Sequence, residues 1–326
     1  MDPPAPVSPV LVRLVQIAAA LMLFVVVSSA FLRLTAAGLG CEPWPDCYGA
    51  PPMPGSHPQD GVLQSLAFLA RLGHRLAASA MLLIVFWILV TSLRRSRRRG
   101  DVVLAWAMAA LTAFLALLGI SSSTATGPAV ALGNLLGGLA LLACAWGLRA
   151  RLVPPSQLEV TGPRPGPSLR FAAVGAVVLL AFQIGLGGLV SVKLAAAACP
   201  TLPGCEGGFS LGKGLTALNP FATSSVPLPR DQGAALHLVH RIGALLVLGW
   251  LGIVAFGARA HPGLRGLAAA AALLALLQAA LGAAMVQRAF PLPLALAHNA
   301  LAATLLLLAV ELAVRVVRRR RAAPLA

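Results

Sequence analysis

The chain has 326 residues, is 59% hydrophobic and only 10% charged, with a mean hydropathy of +0.87 and a formal net charge of +16. A water-soluble domain of this length carries far more polar surface, so the composition excludes one and points to the bilayer. The positive charge is no nucleic-acid footprint: seventeen of the 25 basic residues sit at the ends of apolar runs or in the connections between them, at Arg13, Arg94–Arg95, Arg97–Arg99, Arg149, Arg151, Arg164, Arg170, Arg259, Arg265, Arg315 and Arg318–Arg321.

Eight apolar runs are long enough to cross a bilayer, which takes about 20 residues per helix. They cover about 11–34, 67–92, 102–121, 129–149, 170–192, 233–256, 265–287 and 294–317. None alternates as a barrel strand does. The first lacks a clear cleavage site, which argues against a signal peptide. With eight spans, every basic cluster above falls on one side, and the positive-inside rule places both termini in the cytoplasm. The expected fold is an all-α polytopic membrane protein.

Taken in order, the first span leads into the outer loop 35–66, where GLGCEPWPDCYG holds Cys41 and Cys47. The second opens with RLGHRLAASA, placing Arg71, His74 and Arg75 together. The fourth contains Asn134 in AVALGNLLGG and a single apolar filler, Cys144. Residues 156–169, rich in proline, read as a cytoplasmic linker. The fifth span carries Gln183 in QIGLGGLV, a small-residue stretch that permits close approach. The outer loop 193–232 repeats the cysteine spacing with Cys199 and Cys205 in CPTLPGC. The sixth span brings LHLVHRIGAL with His237, His240 and Arg241, the seventh Gln278, and the eighth LALAHNALAA with His298 and Asn299.

Both cysteine pairs fall on the outer side, where oxidising conditions favour disulfides. Metal ligation is the competing reading, but C-x5-C matches common zinc spacings poorly; free thiols are the third. The chain also repeats itself. Residues 1–155 and 170–326 each hold four spans, a C-x5-C loop after the first and a His-Arg pair in the second. That pattern predicts two similar four-helix bundles in a parallel tandem repeat.

His74 and His240 lie about seven residues into their spans, roughly 10 Å below the start, and His298 about five. Imidazoles at matched depth on different helices are suitable axial ligands for a haem iron held inside a bundle. Buried histidines bonded across helices are the plainer reading. Arg75 and Arg241 suit a haem propionate, or else they snorkel or pair with backbone carbonyls. His237, three residues before His240, either orients a propionate or substrate or sits at the wet end of its helix. Gln183 and Gln278 are expected to bond across helices. His57 and His261 read as loop residues without a role.

FLRLTAAGLGCEPWPDC after span one, HR in span two, QIGLGGLV, LHLVHR and PLALAHNA together resemble the haem A synthase family, membrane enzymes of cytochrome oxidase assembly. The resemblance implies oxidation of the C8 methyl of haem O to a formyl group, in a bacterial-type cytoplasmic (inner) membrane. It implies that His240 and His298 ligate a haem b in the C-terminal half, and that His74 ligates the substrate haem in the N-terminal half. Cys41 with Cys47 and Cys199 with Cys205 match the family's outer-loop pairs. Implied partners are membrane lipid, haem O, a haem O synthase and oxidase assembly proteins. Two positions depart from the family. Arg71 stands where it has a glutamate, and no histidine lies between His74 and His237; Asn134 is the polar residue nearest the missing ligand's place. His74, Arg75, Arg71 and Asn134 are therefore the candidate catalytic set. A non-catalytic haem-binding protein or oxidase assembly factor is the alternative. A transporter is disfavoured because spans three to eight show no clear mid-span Gly-Pro break.

Overall fold

The computed structural model describes residues 8–39, 60–95, 98–121, 127–152, 165–205, 211–221 and 228–318. Among them α-helices run in the order α1 (Pro9–Ala36), α2 (Asp60–Arg95), α3 (Arg99–Ser121), α4 (Pro128–Leu152), α5 (Pro167–Val192), α6 (Leu211–Ala217), α7 (Arg230–Ala258), α8 (Pro262–Gln287) and α9 (Leu292–Arg318). All but the short α6 are long and apolar enough to cross a membrane, and no strand occurs among the described residues. The eight expected spans are therefore present. The largest difference in bounds is α2, which starts at Asp60 rather than near residue 67.

Proline opens several of these helices. Pro9, Pro167 and Pro262 occupy the first turn, where a missing N–H costs nothing and a fixed φ helps. Three helices close in the same way. The backbone N–H of Leu39 donates to the carbonyl of Leu34 (3.1 Å), that of Ala195 to Val190 (2.9 Å) and that of Phe290 to Met285 (2.8 Å). Each closure needs a left-handed residue just past the helix. Gly38 supplies it at α1 with φ 70°, whereas Leu194 (φ 53°) and Ala289 (φ 55°) supply it at α5 and α8. A side chain in that region costs about 1–2 kcal/mol, which glycine avoids.

The helices pack as two rings. In the first, α1 packs on α2 and α4, and α3 packs on α2 and α4. In the second, α5 packs on α7 and α9, and α8 packs on α7 and α9. The rings meet where α9 touches α1 and α4 and where α4 touches α5. Buried aliphatic residues from both rings, including Met22, Leu142, Leu180, Leu251 and Leu305, form one continuous core. Large apolar side chains such as Phe86, Trp87, Leu117, Leu245 and Leu273 point outward. That surface is costly in water and matches acyl chains.

Buried ions tie the rings at one end. Arg151 of α4 donates to Asp101 of α3 at 2.7 Å. Glu311 of α9 accepts from Arg315 at 2.8 Å and lies 3.6 Å from Arg149 of α4. Arg318 donates to the carbonyl of Ala150 at 2.6 Å. At the other end, Cys199 and Cys205 form a disulfide with a Cα–Cα distance of 4.9 Å. Cys41 and Cys47 lie outside the described residues, as do His57 and most of the linker. Cys144 is a free thiol, half-buried in α4.

Candidate functional site

His240 projects from α7 toward α5, where the sequence has placed a glycine for it. A Cβ added at Gly187 would stand 2.8 Å from the imidazole Cε1. One turn earlier on α5, the Gln183 amide nitrogen lies 2.8 Å from the His240 carbonyl and 3.0 Å from its Nδ1. The arrangement recurs on the next pair of helices. A Cβ at Gly282 of α8 would stand 3.2 Å from Cε1 of His298, and Gln278 donates to the His298 carbonyl at 3.0 Å. Gln and Gly four residues apart share one helix face. Each pair thus forms a cradle: the amide fixes the backbone of the facing helix, and the glycine admits the ring. Gln183 and Gln278 bond across helices as expected. The cradle itself was legible in the repeated Gln-x3-Gly spacing, but only once both histidines were matched to it.

His240 and His298 line one cavity of about 410 Å³ in the second ring. Its wall is mainly aliphatic, with His237, Arg241, Gln183, Gln278 and Asn299 among its polar groups. Arg33 reaches it from α1, in the other ring. No carboxylate is among the described lining residues. Nδ1 of His298 is buried without a hydrogen-bond partner. The chamber is mainly apolar, with two imidazoles on different helices. Its donor set suits a flat apolar group that brings a metal centre and acidic substituents of its own.

His237 does not take the second of its two expected places. It is not at a wet helix end but buried at 6% exposure, with its ring 6.1 Å from that of Phe290. The cysteine loop and its 3-10 turn Ala196–Ala198 pack over this part of α7, covering what the helix alone would leave wet. His261 is also buried, as the residue preceding Pro262 at the start of α8. Arg241 pairs with backbone carbonyls, one of its expected roles. Its Nη1 donates to the carbonyl of Thr201 at 2.7 Å and, at 3.3 Å each, to those of Pro203 and Gly204; Nη2 donates to Cys199 at 2.8 Å. The guanidinium therefore clamps the disulfide loop, whose Leu202 and Pro203 also line the cavity. Asn299 bonds a carbonyl, that of Ala295, at 2.8 Å.

The first ring is furnished differently. His74 of α2 is half-buried, its Nδ1 3.3 Å from the Ser28 hydroxyl of α1. Gly73 faces Phe24 of α1 rather than an imidazole. Arg71 and Arg75 lie on the exposed side of α2, and Asn134 is half-buried on α4. No hydrogen bond joins Asn134 to His74 among the described residues. Sequence reading passed over Ser28, Gly282 and Arg33. For Arg33 the signal was present, since an ionisable residue inside an apolar run is a functional candidate by default.

A family model described as cytochrome oxidase assembly protein matches residues 12–310, a segment that takes in both rings. The chain belongs to that family. The heme A synthase of Shewanella oneidensis is 31% identical over 315 residues, covering 90% of this chain and 93% of the relative. The cytochrome oxidase assembly family is the one that the His-Arg, Gln-Ile-Gly and cysteine-loop motifs resemble.

Proposed function

We propose that the chain is an eight-span haem A synthase. It oxidises the C8 methyl of haem O to a formyl group, with haem b resident in the second ring and haem O received by the first. The observation that supports a resident haem is the pair of glycine-seated imidazoles, His240 and His298, lining one mainly apolar cavity. A haem held there would supply electron transfer. His240 and His298 would hold the iron, while Gln183 and Gln278 hold the two histidine backbones in register. Arg241 secures the loop that covers the cavity and keeps water out of it.

In the first ring His74 would ligate the substrate haem from one face. Arg71 and Arg75, one turn apart and exposed on α2, would meet its carboxylates. Asn134 is the polar residue nearest the place where the family resemblance expects a second ligand. Parallel tandem bundles, 1–155 and 170–326 joined by 156–169, agree with the matching order of packing in the two rings. The basic clusters support cytoplasmic termini in a bacterial inner membrane, and the Cys199–Cys205 disulfide supports an outer, oxidising side for its loop. A haem O synthase and oxidase assembly proteins are the expected partners.

The deciding experiment supplies haem O and a reductant to purified full-length protein, then separates the extracted haems and weighs them. Hydroxymethyl or formyl haem from wild type, absent from His74→Ala, is the expected result. A second reading, a haem-binding assembly protein without turnover, draws on the first ring: His74 is bonded to Ser28 and Asn134 makes no hydrogen bond to it. No product from protein that retains its second-ring haem would establish that reading instead.

A further inference from the structure

His237 stands about one turn of α7 from His240, toward the disulfide loop, and lines the same cavity. Its imidazole is buried against the Phe290 ring and the backbone of Ala196, which also line the cavity. None of the described glycines faces this ring, so it lacks the close seat given to His240 and His298. Its Nδ1 is buried and has no hydrogen-bond partner. Arg241 follows four residues later on the same helix face. Both of its Nη atoms are held by loop carbonyls, but its Nε is buried and unpartnered as well. Two orphaned nitrogens therefore stand one turn apart on the cavity wall, beneath the disulfide loop. A buried polar atom in that condition has lost its water for nothing in return, and a bound group or an ordered water usually completes it.

We propose that His237 is the donor that fixes the acidic edge of the second-ring haem, turning that edge toward the disulfide loop. The proposal rests on the haem reading above. With the proton on Nδ1, a neutral imidazole donates one N–H to a carboxylate oxygen. One ionised partner makes such a bond about twice as strong as a neutral pair. The Arg241 Nε–H adds a second donor and a positive charge nearby, and the guanidinium need not release the loop carbonyls to supply them. Phe290 and Ala196 hold the His237 ring in advance, which lowers the ordering cost of binding. A place one turn from His240 suits the rim of a flat group rather than its centre. His237 thus orients the ligand and takes no part in holding the iron.

The test uses the full-length protein stripped of haem, titrated with hemin and with hemin dimethyl ester. The ester keeps the ring and iron but lacks free carboxylates. Wild type is expected to bind hemin about tenfold tighter than the ester, as a desolvated charge-assisted hydrogen bond implies. His237→Phe keeps a flat ring and removes the donor. It should erase most of that preference by weakening hemin alone, with ester affinity and the low-spin spectrum unchanged. His237→Asn, whose amide N–H stands near the place of Nδ1, should retain part of the preference. His237→Leu carries the same test should His237→Phe not be recovered folded. Equal weakening of hemin and ester would overturn the proposal, because a purely structural ring moves both. Full preference for hemin in the Phe and Leu variants, or none in wild type, would also overturn it and leave Nδ1 to an ordered water. Loss of the low-spin spectrum in His237→Phe would overturn it in favour of His237 as an iron ligand. Failure of wild type to give a bis-imidazole spectrum with either compound would instead refute the underlying haem reading.

Discussion

His74 and His240 occupy the second span of their respective rings, and the spans around them pack in the same order. Their surroundings diverge. His240 rests over Gly187 and beside Gln183, with His298 on the same cavity wall. His74 has a serine hydroxyl for a neighbour, and the glycine preceding it faces a phenylalanine. The difference teaches that a shared helix order does not make two equal sites. An imidazole becomes an available ligand when the facing helix has been thinned to admit it and a second donor converges on the same space. The second ring meets both conditions with residues of four helices, whereas the first meets neither among its described side chains.

The strongest way to break the comparison is to remove an imidazole from the better-furnished ring. His240→Ala and His298→Ala should each abolish the low-spin haem absorbance of the purified protein, whereas His74→Ala should leave it intact. Loss of the signal in His74→Ala and retention in the other two would reverse the assignment of the rings.

Filling the cradles should have the next largest effect. Gly187→Ala puts a methyl 2.8 Å from His240, closer than real side-chain contacts allow, so the ring must move. Overpacking of this kind costs about 1–3 kcal/mol, and haem occupancy should fall several-fold. Gly282→Ala, at 3.2 Å from His298, should do less. Gly249→Ala, with open space around it, should do nothing to occupancy. Haem-to-protein ratios after purification order the three.

Gln183→Leu and Gln278→Leu sharpen the contrast within the second ring. Each removes a hydrogen bond to a histidine carbonyl, worth about 1 kcal/mol. Only Gln183 also approaches the ring, so its variant alone should shift the haem spectrum. The smallest effect concerns a helix end shared by both rings in form but not in residue. α1 closes with a glycine, whereas α8 closes with exposed Ala289 at φ 55°. Ala289→Gly should stabilise the protein by about 1 kcal/mol, read as a slightly higher Tm with unchanged haem content.

The spans, the helical class, the second disulfide and both bridging glutamines were legible because they depend on local composition or on spacing within one helix. The surroundings of His237 and Arg241 were not. Both depend on the Cys199–Cys205 loop folding back over α7, and the spacing within α7 carries no record of that. Arg33 was hidden for a related reason: two of its partners, Ser191 and Asn299, lie in the other half of the chain. Positions 41 and 47 gave as clear a signal as 199 and 205, and they lie outside the described residues.

α9 follows the seven other spans in the chain, yet it touches α1, α4, α5 and α8 and is the most buried of the eight. During insertion into a membrane, the earlier helices must therefore leave a groove for a latecomer at their own centre. His298 arrives with that helix, as does Asn299, which accepts from Arg33. Until then the nascent protein holds one imidazole of the pair and a lipid-accessible furrow. The pocket of the second ring is thus complete only when the final hydrophobic segment has packed into place.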